Sequence, residues 1–246
     1  MAEVYDVIGG GYSTRRHPDP RIAAALRDAL DGCRTAVNVG AGTGSYEPDD
    51  LEVVAVEPSL TMIRQRRQGA AAVVQGRAEM LPFRDASFDA VLGVLTPHHW
   101  GDVRLGLAEC ARIARHRVVF LTVDVEAAGG FWLLRDYFPD IYRMDQAIMP
   151  SLELLRTALG PIEARAVAVP ADCADGFLGA YWRRPEAYLD AAVRAGISMF
   201  GRVMGVDEGI ERLRDDLSTG RWVRRWGHLL GEDVMDLGYR IVIARF

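Results

Sequence analysis

The sequence predicts an α/β fold built on a parallel sheet, on three observations. Short apolar runs alternate with segments of helical period from about residue 19 to residue 123. The first run, Ala36–Val39, passes directly into a glycine-rich turn, Gly40-Ala41-Gly42-Thr43-Gly44. The second run, Val53–Val56, ends on Glu57, thirteen residues beyond Gly44. Alternation of strand and helix implies crossover connections, and those make parallel sheets. Residues without side chains let a ligand come close to the main chain. A carboxylate at the tip of the next strand can take both hydroxyls of a ribose. The three together predict a nucleoside pocket at the carboxyl edge of the sheet.

The elements follow in order. Asp19 reads as a helix N-cap with Pro20 at the first helical position. Ile22, Ala25, Leu26, Ala29 and Leu30 then recur at helical spacing, and Gly32 ends the helix. Strands are predicted at about 36–39, 52–57, 72–75, 89–94 and 117–123, with helices at about 59–68 and 103–115. Beyond Asp124 the rhythm changes. An aromatic-rich segment holds Phe131, Trp132, Leu133, Tyr137, Phe138 and Tyr142. A helix at about 151–159 stops at Gly160-Pro161, and Ala164–Val169 reads as a sixth strand. A long helical stretch from about 174 to 230 precedes a last strand, Gly238–Ala244.

Bulk properties narrow the function classes. The 246 residues are half hydrophobic, which supports a sizeable core, and the chain is taken as one domain. A net charge of −5 and a pI of about 5.6 argue against nucleic acid as partner. The sequence shows neither a run of about 18 apolar residues nor a signal-peptide pattern, so neither membrane nor export is expected. Cys33, Cys110 and Cys173 are odd in number, far apart and without a CxxC pair. Disulfides and zinc are therefore not expected, no metal is predicted, and a reducing cytoplasm fits.

The loop departs from the dinucleotide fingerprint. Gly40, Gly42 and Gly44 match G-x-G-x-G, but Ser45 stands where a further Gly or Ala belongs. A pyrophosphate also needs a helix N-terminus after the loop. Ser45-Tyr46-Glu47-Pro48-Asp49-Asp50-Leu51 leads almost at once into the second strand, with Pro48 breaking any helix and two acids opposing phosphate. A nicotinamide dehydrogenase is disfavoured on these grounds. A nucleoside without phosphates fits, and S-adenosylmethionine, with its adenine, ribose and methionyl sulfonium, is one.

Five pieces then fall in one order: Val39–Gly44; Val54-Ala55-Val56-Glu57-Pro58-Ser59 with Met62; Ala78-Glu79-Met80-Leu81-Pro82-Phe83; Ser87-Phe88-Asp89-Ala90-Val91; and His98-His99-Trp100. From about Thr35 to Asp124 the chain resembles the class I S-adenosylmethionine-dependent methyltransferases, in the small-molecule branch of ubiquinone and menaquinone methylation. The resemblance implies a Rossmann-like, mostly parallel seven-stranded sheet with helices on both faces, the last strand entering antiparallel between the fifth and sixth. It makes residues 174–232 a helical insertion that caps the cleft and residues 1–18 a segment covering the cofactor. It implies a glycine loop under the methionyl part, an acid on the ribose and the Ala-Glu segment beside adenine. The candidate cofactor residues are Tyr12, Arg16, Gly40, Ala41, Gly42, Gly44, Glu57, Pro58, Ala78, Glu79 and Thr96. Three features depart from the family: Asn38 replaces the usual acid before the loop, Arg77 the usual Asp before Ala-Glu, and the first crossover helix is nearly absent.

Methyl transfer is an in-line displacement, and alignment alone can supply about 7–11 kcal/mol. A base is needed only where the nucleophile keeps its proton late in the reaction. His98 and His99 follow the fourth strand, so either can be that base. The alternative is that one stacks on cofactor and the other packs. Asp124, Asp172 and Asp175 are further acids near the expected cleft. Thr96-Pro97-His98-His99 lacks the Asn/Asp-Pro-Pro-aromatic pattern of nucleobase amino methyltransferases, which favours a small-molecule acceptor. Trp132, Tyr137, Phe177, Tyr181 and Trp182 either line an apolar acceptor pocket or form core. Arg221, Arg224 and Arg225 with Trp222 and Trp226 read as a solvated helix face over two buried tryptophans. The reading is a methyltransferase acting on a small metabolite at O, N or C; the alternative is an inactive cofactor-binding sensor or assembly protein.

Overall fold

The computed structural model describes residues 16–246. The expectations for Tyr12 and for most of the covering segment 1–18 therefore lie outside the described residues. Helix α1 (Pro20–Ala29) starts where Asp19 caps it, Oδ1 accepting from Arg21 N at 3.0 Å. Strand β1 (Thr35–Val39) runs into the glycine loop, and β2 (Glu52–Glu57) follows with no helix between. Helix α2 (Leu60–Ile63) is a single turn capped by Ser59, far shorter than the ten residues predicted. Strand β3 (Ala72–Gln75) reaches β4 (Phe88–Val94) through a loop without a helix. Next come α3 (Val103–Ile113), capped by Asp102, and β5 (Ala114–Val123).

The aromatic segment, for which the sequence spacing predicts no element, forms α4 (Val125–Ala128), a π-type turn at Leu133–Tyr137 and α5 (Pro139–Ile148). Helix α6 (Leu152–Leu159) and strand β6 (Ile162–Pro170) follow. The long helical stretch predicted at 174–230 is broken into short turns plus α7 (Ala191–Ala195), α8 (Val206–Ser218) and α9 (Arg221–Trp226). Left-handed Gly205 (φ +70°) and Gly220 (φ +69°) precede α8 and α9, so no continuous helix passes through either position. Strand β7 (Val234–Arg245) closes the chain.

The seven strands are ordered β3-β2-β1-β4-β5-β7-β6. All neighbours are parallel except β7, which runs antiparallel to both β5 and β6. The sheet is mostly parallel and Rossmann-like, as the resemblance implied. Core layers cover both faces. Val118, Phe120 and Val242 meet Leu107 and Leu155 from α3 and α6. Val119, Leu121, Ile241 and Ile243 alternate with them and meet Leu26, Trp132 and Trp222. Strand order reverses between β1 and β4, and open α/β sheets bind ligands at that switch point.

Candidate functional site

A cleft of about 1010 Å³ lies at the switch point, between the loops that follow β1, β2 and β4. Gly40 N and Ala41 N donate to Val56 O at 2.8 and 3.0 Å, folding the glycine loop back onto β2. Gly40 has φ +69°, and a Cβ there would sit 1.8 Å from Thr96 Oγ1. Only glycine lets the β1 loop and the β4 loop approach this closely. Glu57 is buried, and its carboxylate accepts from Gly42 N at 2.8 Å and from Ser59 N at 2.9 Å. It therefore fastens the glycine loop to the turn after β2 while lining the cleft.

Arg66 adds a second brace. It donates to Gly42 O at 3.2 Å and pairs with Glu47 at 2.8 Å, both side chains buried. Asn38, which replaces the family's acid, donates to Glu47 at 3.2 Å. Its Oδ1 is buried without a hydrogen-bond partner, and the residue lines the cleft. Across the cleft, Glu79 accepts from Gly101 N and Asp102 N at 2.6 and 3.0 Å, holding the β4 loop down onto the Ala78-Glu79 segment. Thr96 Oγ1 accepts from Trp100 Nε1 at 3.3 Å.

A second cavity of about 710 Å³ adjoins the cleft and shares Arg16, Leu95 and His99 with it. Leu95 sits at φ +50°, a costly conformation for a leucine, held by its N–H on Leu121 O at 2.8 Å. The walls are mainly apolar, with Phe131, Leu134, Met149, Phe177 and Leu237 among them. His99 faces both spaces and His98 only the second; their ring centroids lie 3.9 Å apart, with the planes tilted by 47°. Burial, with the charge of Arg202 and for His98 the neighbouring His99, disfavours protonation. His98 is pushed well below the usual imidazole range and His99 down to about 4, so both are neutral at pH 7. Asp145 of α5 also reaches this cavity. It is 5 % exposed, and its Oδ1 has no hydrogen-bond partner. Burial raises its pKa to about 7 against the opposing pull of Arg202.

Three comparisons bear on this geometry. A methyltransferase-domain family matches residues 37–122, the span from β1 to β5. A protein of Anabaena variabilis, described as a methyltransferase from an antibiotic biosynthesis pathway, has a similar structure, with a TM-score of 0.84. It is 34 % identical, over 94 % of this chain and 99 % of that one. The chain belongs to the class I S-adenosylmethionine-dependent methyltransferases. Demethylmenaquinone methyltransferase of a Roseiflexus species is 28 % identical over 210 residues, 74 % of this methyltransferase and 82 % of that one. The uncharacterized methyltransferase YcgJ of Bacillus subtilis is 33 % identical over 99 residues, 36 % of this chain and 39 % of that protein. Its match thus spans well under half the length of either protein.

S-adenosylmethionine is accordingly the cofactor, and the cleft of this methyltransferase fits it. The buried orphan Oδ1 of Asn38 is an acceptor for an ammonium, the Glu57 carboxylate is an acceptor for hydroxyls, and no helix N-terminus follows the glycine loop to hold a phosphate.

The sequence-predicted residues divide. Arg16, Gly40, Ala41, Gly42, Glu57, Pro58, Ala78, Glu79, Thr96 and His99 share the cleft. Gly44 does not line it; with φ +88° it turns the loop against Glu47 and Arg66. Asp49 and Asp50 lie outside the cleft and pair with Arg67 and Arg27, so the argument against phosphate rests on the missing helix alone. Arg16 spends its guanidinium on Asp175, at 2.6 and 3.0 Å, with Tyr46 Oη donating to the same carboxylate at 2.9 Å. Asp124 caps α4, and Asp172 is an exposed partner of Arg21. Among the aromatics, Phe177 lines the second cavity, whereas Trp132, Tyr137 and Trp182 are core. Trp222 and Trp226 are buried under exposed Arg221, Arg224 and Arg225. Asp145 carries no sequence signal, because the spacing of its segment predicts no element and so gives no face for an acid to occupy.

Proposed function

We propose that this methyltransferase acts on a small, largely apolar metabolite held in the second cavity. The observation that carries the reading is that the cavity adjoins the cofactor cleft and shares Arg16, Leu95 and His99 with it. The family relatives support it, one being named for demethylmenaquinone and one for antibiotic biosynthesis. The acceptor atom is O, N or C.

When bound, the cofactor supplies an electrophilic methyl group on a sulfonium. The protein's part is placement, which can be worth about 7–11 kcal/mol. Glu57 accepts from the ribose hydroxyls while its two backbone donors hold it in place. Asn38 Oδ1 and the Gly40–Gly42 backbone take the amino-acid part. Pro58, Ala78 and Glu79 flank the adenine. Neutral His99 and Leu95 form the threshold between the two spaces, and His98 the polar wall behind it. The segment from about 174 to 232 caps the acceptor cavity, supplying Phe177, Ile197 and Met199 to its wall. The described residues include no helix long and apolar enough to cross a membrane, and the acidic net charge favours a metabolite over a nucleic acid in a cytoplasmic setting.

Calorimetry with S-adenosylmethionine, S-adenosylhomocysteine and NAD, followed by mass spectrometry of a panel of phenols, quinols and amines, tests the reading. Binding of the first two ligands and a gain of one methyl group on a panel member is the expected result. Binding of NAD instead, or methylation of RNA but of no small molecule, overturns it.

A further inference from the structure

Among the described residues, Asp145 is the one acid on the wall of the second cavity. Its carboxylate is buried, its Oδ1 is orphaned, and no described side chain donates to it. A buried carboxylate without a donor is costly, and such groups are normally matched by a partner. His98 Nδ1, on the same wall, is orphaned as well. We propose that the second cavity selects an apolar molecule bearing a protonated amine, and that Asp145 is the residue that selects it. The proposal rests on the reading that this cavity receives the acceptor.

The surroundings favour a cation over the other donors. Among the described residues, the titratable groups that face the cavity are Arg16, His98, His99, Asp145 and Tyr239. Arg16 is paired with Asp175, both imidazoles are neutral, and Tyr239 Oη accepts from Gly179 N at 3.2 Å. Arg202 acts on Asp145 but is not on the cavity wall. A carboxylate ligand would therefore meet the Asp145 carboxylate while the Arg16 guanidinium is held by Asp175, and be repelled. An alcohol offers one donor and no charge. An ammonium offers three donors, one for Asp145 and another for His98 Nδ1 in its acceptor tautomer. Phe131, Phe177 and Tyr239 line the same wall, and aromatic rings attract a cation. This assigns a recognition group; it does not depend on which atom is methylated.

Three probes of one shape test the proposal: 2-phenylethylamine, 2-phenylethanol and phenylacetate. Each is titrated calorimetrically into the wild type and Asp145→Asn, with and without S-adenosylhomocysteine. The amine should bind at least about tenfold more tightly than the alcohol, and phenylacetate weakest, the gap expected of a charge-assisted hydrogen bond. Asp145→Asn should remove that advantage and leave the alcohol within about threefold, well inside one tenfold step. In the wild type alone, amine affinity should rise about tenfold or more from pH 5.5 to 8.5, as Asp145 ionises while the amine, with a lysine-like pKa of about 10.4, stays charged. The wild-type pH series stands independently of how well the variant folds. Equal affinity for amine and alcohol, or an amine affinity indifferent to pH and to Asp145→Asn, overturns the proposal. A protein that fails to bind S-adenosylhomocysteine overturns the functional reading instead, and the titrations without it then decide the amine claim separately.

Discussion

Asp145→Asn should gain stability relative to the wild type as pH rises. The carboxylate is 5 % exposed, and its pKa is raised by burial to about 7 from an ordinary 3.8. The folded state therefore holds a proton that the unfolded state has lost across that interval. A raised folded pKa contributes stability that is fully present below the unfolded value and is lost as pH rises through the folded one. At about 1.4 kcal/mol per unit, the wild type forfeits between about 2 and 3 kcal/mol from pH 5 to pH 8 through this group. The asparagine of the variant cannot titrate, so the variant escapes that loss. It buries an amide without a partner at every pH, a cost of about 1–3 kcal/mol that shifts the curve without tilting it. The assay is urea unfolding of both proteins at pH 5, 6, 7 and 8, read as the difference at each pH so that all other titrations cancel. The variant should gain between about 2 and 3 kcal/mol on the wild type across the series, roughly 5–10 °C in Tm for a chain of this size. Parallel curves would refute the reasoning, since they would mean that Asp145 is solvated or already paired.

Glu57→Ala strands two backbone donors, Gly42 N and Ser59 N, and should cost about 2–4 kcal/mol in unfolding free energy together with about tenfold or more in S-adenosylhomocysteine affinity; unchanged calorimetric affinity would remove Glu57 from the cofactor site. Gly42→Val should abolish cofactor binding, since Gly42 lies at φ +53° and a Cβ there is already 3.2 Å from Met62 Cε; cofactor affinity equal to wild type would place the ligand elsewhere. Because His98 and His99 titrate below the usual imidazole value near 6.5, neither imidazole should contribute a step near that pH, and His98→Ala with His99→Ala should leave the shape of the turnover profile above pH 5.5 as it is in the wild type. A profile that rises through about 6.5 and flattens in the His98→Ala variant would instead make that imidazole a base.

Much of the fold was written in local residue types. The β-branched runs of β1, β2, β4 and β5 placed four strands to within a few residues, because strand preference and burial act on contiguous side chains. Asp19, Asp102 and Ser151 cap the helices that follow them, since a cap is satisfied by its own next residues. The cofactor cleft was legible for the same reason. Gly40, Gly42 and Glu57 lie within eighteen residues, and a strand end carries its loop to the sheet edge wherever the rest of the chain goes. Asn38 was visible as a departure, though its orphaned Oδ1 was not.

Tertiary structure alone decided the remainder. Arg16 reads as a cofactor ligand in the sequence, and only the fold shows that it lines the cleft while its guanidinium pairs with Asp175, 159 residues away. The stretch from 174 to 230 carries helical spacing throughout, yet it folds as short turns because it must wrap the sheet and bury Trp182, Tyr188 and Trp222 together against Trp132. Neither histidine advertises its lowered pKa, which comes from burial and from Arg202, far along the chain. Asp145 shows the division most plainly. In the sequence it is one acid in an aromatic-rich segment; in the fold it is, among the described residues, the acid on an apolar wall, placed there by a sheet, a neighbouring turn and an insertion that contact one another only after the chain has closed. Period and spacing report what a residue's neighbours in sequence require of it, whereas the electrostatic character of a buried site depends on groups brought together across the whole chain.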